Sequence, residues 1–585
     1  MEVLPAPSST DAPEVQLPAF EYGRDKIRAV NLGGWLVLEP WITPSFFERT
    51  NNTDVIDEYT LGALVDRAAA LEMLTQHWET WITEDDFIAI RAAGLTHVRI
   101  PLGFWSVPLT QDDVRTSVSS DPYIPGAWPY FLRGLTWARK HGVRVIVDLH
   151  GAPGSQNGYD NSGQRTSGPQ WALQPHFVTH TVDVVRFIAA NVGGLIDVLE
   201  LLNEPAGFRG DDWAAVIREF WIEGYDAVRD AAGEDIHVMI GDAFLGVESW
   251  TDFLTPPRGH GVLMDFHEYQ IFSHGELERS PQEHIDFACG YIDRLSSFAS
   301  SNLWTVVGEW SNAITDCARW LNGRGVGARW DGTWYDTDQY HDTCEGYTGS
   351  YHNFSEEYMA FLRRYWEVQV EIGESVQGWV FWTWKAENAD EWSYQRGLEG
   401  GWIPQDPADL NGKVRGCSLN LFIPALHSAM AGRDNNSGMR SVPSTPPPTL
   451  VGLSSLHSGA GPFQAPSLPS TAPTSLTDLS SPPAYPGDRN TSPFRTHPVY
   501  SLEVLNIEVE GVLLQLPKVP FLEYSDTFAE QHGIQTGGGN NQKPVKLDVG
   551  LEEFESFLSA FLSRSVYLCP TFTVASLTQS LMYTN

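Results

Sequence analysis

Short apolar and β-branched runs recur from about residue 27 to 403 and alternate with stretches of helical periodicity. That is the pattern of repeated βα units on a parallel sheet. Eight runs read as strands: AVNLGGW near Trp35, THVRIP ending at Pro101, VRVIVDLH ending at His150, IDVLELLNE ending at Glu204, HVMIGDA ending at Ala243, VLMDFHEY ending at Tyr269, LWTVVGEW ending at Trp310, and GWVFWTW ending at Trp384. Between the first two, ITEDDFIAIRAAG predicts a helix with Thr83 as its cap, Phe87 and Ile90 on one apolar face, and Gly94 closing it. Eight strands separated by helices predict one α/β domain, a (β/α)8 TIM barrel.

The pattern changes outside that region and divides the chain. Residues 1–26 form an N-terminal extension and 27–425 the barrel domain. Residues 426–498 are so rich in Ser, Pro, Gly and Thr that they bury too little apolar surface to fold, which predicts a disordered linker. Apolar periodicity returns in 499–585, notably in LEEFESFLSAFLSRSV, and predicts a small α+β module or an artefact of gene prediction.

Composition narrows the partners. The chain is 42% hydrophobic with 22 Trp, a load that fits sugar-stacking surfaces as well as core packing. A formal net charge of −37 excludes a basic footprint for nucleic acid or anionic membrane and favours a neutral substrate. No apolar run is long enough for membrane insertion, and MEVLPAPSSTDAPEVQLPAF lacks the pattern of a secretory signal. None of the five Cys lies in a CxxC pair, so a structural zinc site or a thioredoxin-type motif is not expected.

Active sites of such barrels gather where strands end and the following loops begin. Nearly every predicted strand ends there in a chemical group: Arg99, His150, Asn203 with Glu204, His267 with Tyr269, Glu309, and Trp382. Singly each has a bland reading, as an ion pair, a buried histidine or barrel packing. Together on one rim they point to chemistry. Glu204 closes VLELLNEP and Glu309 closes TVVGEW, three strands apart. Glycoside hydrolysis needs such a pair, one carboxyl to protonate the departing oxygen and one to attack the anomeric carbon or activate water. A close pair disfavours double ionisation, so one member is expected to keep its proton near neutral pH.

The segments VNLGGWLVLEPWITPSFF, VIDEYT, HWETWITEDDF, HVRIPLGFW, VDLHGAPGSQNGYDNSG, LLNEP, FHEYQIF, VGEWS and GWVFWTWK together resemble the fungal exo-β-1,3-glucanases of glycoside hydrolase family 5, over roughly residues 27–417. The resemblance implies Glu204 as acid/base and Glu309 as nucleophile, and exo-hydrolysis of β-1,3-glucan with retention, without metal or cofactor. It places Arg99, His150, Asn203, His267, Tyr269 and Trp382 around the cleaved sugar, Glu39 and Asp160 as further hydroxyl ligands, and Tyr159 with Phe272 as an aromatic clamp on the next sugar. The GSQNGYDNSG loop after His150 is the candidate for closing one end of the groove.

The same resemblance implies disulfides Cys317 with Cys344 and Cys289 with Cys417. With the sequons at Asn51 and Asn353, these predict an extracellular or cell-wall glycoprotein whose catalytic domain is monomeric. The absent signal and the C-terminal tail depart from the family, and a lost first exon with a fused neighbouring frame would account for both. The tail resembles a fragment of the BTB/POZ domains, through VEGVLLQLPKVPFLEYSDTF and LDVGLEEFESFLSAFL. Alternative functions are a β-1,6-glucanase or broad β-glucosidase on the same barrel, or a catalytically silent glucan-binding protein.

Overall fold

The structure, a computed structural model, describes residues 17–335, 339–408 and Cys417, with the strands Val504–Val509, Val512–Pro517 and Val545–Leu547. The chain divides into two units, Met1–Leu468 and Pro469–Asn585.

In the first unit eight parallel strands close a barrel in sequence order. They are β1 (Ile27–Asn31), β2 (His97–Gly103), β3 (Arg144–Gly151), β4 (Val198–Glu200), β5 (His237–Gly241), β6 (Val262–Glu268), β7 (Trp304–Trp310) and β8 (Gly378–Phe381). Closure pairs Ile27 with Gly378 and Ala29 with Val380. All eight sequence-predicted strands are present, but five stop short of their expected ends, β5 at Gly241 and β6 at Glu268 by only two residues and one. β1 ends before Gly33 and Gly34. β4 keeps three ladder residues, after which Leu201 and Asn203 donate to Met239 and Leu149 on opposite neighbours. β8 stops before a cis peptide at Trp382–Thr383.

The period of two along each strand sorts the barrel interior into layers. Ile27, Ala29, Ile146, Val198, Met239, Leu263, Val306 and Val380 fill an apolar lower layer. Phe20 and Tyr22 pack against it, so part of the N-terminal extension serves the barrel. One step further along the strands the inward positions turn polar, at Asn31, Arg99, Asp148, Glu200 and Asp265, all buried.

Helices cover the outside of the strands. The predicted helix is Glu84–Ala92 with Thr83 at its N-cap; Asp86 accepts from the Thr83 backbone N–H at 2.8 Å, Phe87 and Ile90 are buried, and Gly94 has φ +76°. Between β5 and β6 the described helical structure is only a 3-10 turn, Val247–Trp250, a departure from the expected alternation. Two disulfides, Cys289–Cys417 and Cys317–Cys344, have the pairing implied by the family resemblance.

In the second unit β9 (Val504–Val509), β10 (Val512–Pro517) and β11 (Val545–Leu547) form a sheet in the order β10-β9-β11, with β9 antiparallel to β10 and parallel to β11. The expected linker 426–498 and the run LEEFESFLSAFLSRSV, with most of the BTB/POZ-like stretch, lie outside the described residues.

Candidate active site

Arg99 is the hub of the barrel mouth. Its guanidinium is fully buried and donates to Glu200 at 2.7 Å, to Asn31 and Glu309 at 3.0 Å each, and to Asn203 at 2.8 Å, with Asp148 at 3.1 Å. Burial works against its charge, but the surrounding Asp148, Glu200, Glu309 and Asp265 outweigh that and keep it firmly cationic. Gly308, just before Glu309, is needed here, because a Cβ would sit 1.9 Å from the Asp265 carboxylate.

Glu309, next to last in β7, has Arg99 on one carboxylate oxygen and the Tyr269 hydroxyl donating to the other at 3.0 Å. Glu204 stands outside β4 in a left-handed turn, φ +45°, between Asn203 and Pro205. A non-glycine residue in that region costs about 1–3 kcal/mol and persists where its surroundings over-determine it. Those surroundings are His267, whose Nδ1 donates to Glu204 Oε1 at 2.8 Å, and Asn161, which donates to Oε2 at 3.2 Å. A register shift between β6 and β7 after Phe266 sets His267 opposite Glu309, with Nδ1 3.5 Å from that carboxylate as well. One oxygen of Glu204, one of Glu309 and a ring nitrogen of His267 all lie within 4.8 Å of one another. That is the scale of the roughly 5 Å separation used for retention, and is short of the 6.5–9.5 Å range that leaves room for an attacking water.

The two carboxyls of the pair are pushed in opposite directions. Burial alone would raise Glu204, but the hydrogen bond and charge of His267, with His150 and Asn161, bring it below the usual carboxylate range. Glu309 is raised by burial, against the pull of His267 and Arg99, and the Glu204 charge adds to the rise. Burial would strip His267 of its proton; Glu309, Asp265 and Glu204 reverse this and hold it well above an ordinary histidine. These directions favour the charged forms of both His267 and Glu204, which share one hydrogen bond, and the neutral form of Glu309.

Several buried polar atoms at the mouth have no hydrogen-bond partner among the described residues. His150 donates through Nδ1 to Asp148 at 2.5 Å and stacks on Trp382 at 5.5 Å, and its Nε2 is unpartnered. Asn203 Nδ2 and Asp160 Oδ2 are likewise unpartnered. Glu39 accepts from the Trp41 indole at 2.9 Å and is raised well above its ordinary value by burial, then by the facing Asp160 charge. Burial lifts Asp160 to about 6. Buried groups of this kind cost free energy until hydrogen-bonded, and the hydroxyls of a pyranose would satisfy them.

Tyr159, half-buried on the loop after β3, is pushed up to about 12 by burial and then by the nearby Glu204 charge. Phe272, beyond β6, is 38% exposed and meets Tyr269 edge-on at 5.7 Å. Trp382 is buried in a cluster with Trp41 and Trp392, so it packs the wall as well as facing the mouth. Sequence reasoning missed Asn161 on Glu204, Asp148 behind His150, and Asp265, which accepts from His267 Nε2 at 3.1 Å. Asp148 and Asp265 each precede a named histidine by two, so strand alternation was the signal for both.

Among the described residues, Glu200–Asp265–His267 and Glu204–His267–Glu309 are the groups compact enough to hold a cation. Both share His267, whose two ring nitrogens already donate to carboxylates, leaving no lone pair for a metal. Arg99 and His267 supply the positive charge that such a cluster requires.

The sequence profile described as Cellulase (glycosyl hydrolase family 5) matches residues 65–323. The chain is 43% identical over 394 residues to a glucan 1,3-beta-glucosidase of Blumeria graminis, covering 66% of this chain and 88% of that one. It is 42% identical over 390 residues to glucan 1,3-beta-glucosidase 2 of Wickerhamomyces anomalus, covering 64% and 87%. Among solved structures it is similar to a rutinosidase from Aspergillus niger, with a TM-score of 0.51 and 19% identity over 66% of this chain and 100% of that one, a likeness of fold alone.

Proposed function

The chain belongs to glycosyl hydrolase family 5, and from that membership and the carboxylate pair we propose the following reading of its chemistry. The protein is an exo-acting glucan 1,3-beta-glucosidase that releases glucose from the non-reducing end of β-1,3-glucan by double displacement with retention. The single observation that carries the assignment of residues is the approach of Glu204 and Glu309 to within 4.8 Å around His267.

Glu309 attacks the anomeric carbon, its ionised form favoured by Arg99 and its direction set by the Tyr269 hydroxyl. Glu204 receives the proton from His267 across their shared hydrogen bond and passes it to the departing oxygen. In the second step Glu204 takes a proton from the incoming water, which cleaves the glycosyl ester on Glu309, and returns that proton to His267, restoring the starting state. Asn203 Nδ2 supports the sugar 2-OH, where hydrogen bonds strengthen as positive charge develops on the ring. His150, Glu39 and Asp160 bind the remaining hydroxyls of the terminal glucose, Trp382 backs its ring, and Tyr159 with Phe272 clamps the sugar beyond the cleaved bond.

We take the catalytic domain to act as a monomer, the site residues named here all lying in one barrel. We place it outside the cell or in the cell wall; two disulfides suit an oxidising compartment, and the sequon residues Asn51 and Asn353 are exposed. No helix among the described residues is long and apolar enough to cross a membrane.

The test is product analysis on laminarin and pustulan, with proton NMR of the first glucose released. Glucose from laminarin appearing first as the β-anomer is expected. An initial α-anomer would discard Glu309 as nucleophile, and faster release from pustulan would move the linkage to β-1,6.

A further inference from the structure

The segment VIDEYT supplies none of the residues in that mechanism, yet its side chains are among the most deeply buried acids of the fold. Asp57 and Glu58 are 0% and 2% exposed, at the start of the helix Glu58–Leu64. One carboxylate oxygen of Glu58 accepts from the backbone N–H of Leu38 at 2.8 Å, the other from the indole N–H of Trp105 at 3.0 Å. Leu38 immediately precedes Glu39. Trp105 underlies the loop after β3: a Cβ added at Gly103, Gly151 or Gly163 would meet its ring at 2.3–2.6 Å.

The residues on either side of Glu58 grip the same loop. Asp57 accepts from the Arg165 N–H at 2.7 Å, and the Tyr59 N–H donates to the Gly163 carbonyl at 2.9 Å. Tyr159, Asp160 and Asn161 all lie between Gly151 and Gly163. One tripeptide thus ties the loop carrying Glu39 to the loop carrying Asp160 and the Glu204 partner Asn161. Glu39 and Asp160 lie on these two separate loops, near enough for the Asp160 charge to help raise Glu39, so their spacing depends on what ties the loops together.

We propose that Glu58 is a positioning residue for the terminal-glucose subsite, setting the distance between Glu39 and Asp160 by holding the Leu38 N–H and the Trp105 indole on its two oxygens. This rests on the reading of Glu39 as a glucose ligand. Burial pushes the Glu58 carboxyl up to about 8, but two donors converge on it, one on each oxygen, and the ionised form is the one that accepts both without turning a proton toward either. Glutamine has the same shape but turns an N–H toward one of those donors, leaving it unpaired.

The experiment is a double-mutant cycle of Glu39→Gln and Glu58→Gln in the full chain, read as kcat/KM on p-nitrophenyl β-glucoside, whose only sugar occupies this subsite. Glu58→Gln is expected to lower kcat/KM about tenfold, through KM more than kcat, the effect of misplacing one buried hydrogen bond. Glu39→Gln is expected to lower it as well, and the double variant to be no worse than Glu39→Gln alone. Losses that multiply in the double variant would overturn the proposal, as would a Glu58→Gln variant with unchanged kcat/KM. A silent Glu39→Gln would overturn the subsite reading and the clamp with it. Should Glu58→Gln fail to fold, Trp105→Phe, which removes the indole donor and keeps an aromatic ring, replaces it in the same cycle with the same deciding outcomes.

Discussion

His267 holds Glu204 through a 2.8 Å hydrogen bond from Nδ1, and that bond and its charge are what keep the Glu204 carboxylate below its ordinary range in a site where burial alone would raise it. The opposite pull acts on His267, which the carboxylates keep protonated well above an ordinary histidine.

A pH dependence of stability follows from the two directions. The lowered Glu204 contributes stability that is present above its unfolded value of 4.5 and is lost as pH falls through the folded value. The raised His267 contributes stability that is complete below its unfolded value of 6.5 and is lost as pH rises through the folded value. The melting-temperature gap between the protein and His267→Gln should therefore be widest between pH 4.5 and 6.5 and shrink on both sides. A gap that is flat with pH would contradict the ion pair.

Leaving-group dependence separates the two carboxylates. An acid matters most when the departing oxygen is basic, so Glu204→Gln should spare glycosylation by a dinitrophenyl glucoside relative to glucan. Glu309→Gln should lose both by about 10³-fold or more, as covalent catalysis disappears. Pre-steady-state bursts on the two substrates decide it; equal loss on both in Glu204→Gln would reverse the roles.

For the aromatic clamp, replacing Tyr159 or Phe272 with Ala should cost about 1 kcal/mol in kcat/KM on glucan oligosaccharides, the scale of one lost aromatic contact. Aryl glucosides barely reach beyond the cleaved bond and should lose less. Matching losses on both substrate types would show that these rings serve the terminal glucose or the fold instead.

A chain ending just after Cys417 retains every residue proposed for the site and both disulfides. Its glucan turnover and melting temperature should stay close to those of the full chain. Loss of folding or activity on truncation, measured by calorimetry and glucose release, would mean that later residues complete the barrel domain.

Much of this was legible without coordinates because strand alternation is local. The alternation of apolar runs with helical stretches announced the barrel, the strand ends put Arg99, His150 and His267 at its mouth, and period-two alternation would have given Asp148 and Asp265 as well. The helix at Glu84–Ala92 was equally readable, since its cap, apolar face and closing glycine lie within a dozen residues. The missing helix between β5 and β6 and the early end of β4 were not, because both depend on what neighbouring strands offer as partners.

What only the tertiary structure decided is what barrel closure brings together. Glu204 and Glu309 come within 4.8 Å of each other though one lies in the turn after β4 and the other near the end of β7, and that distance argues for retention over inversion. Closure also places one imidazole between them and four carboxylates around one arginine, so the neighbouring charges raise His267 while His267 in turn lowers Glu204. The sequence determines which groups line the mouth, because side-chain direction is a property of each strand. Distances and ionisation depend on long-range geometry and burial, which arise only when the eighth strand meets the first.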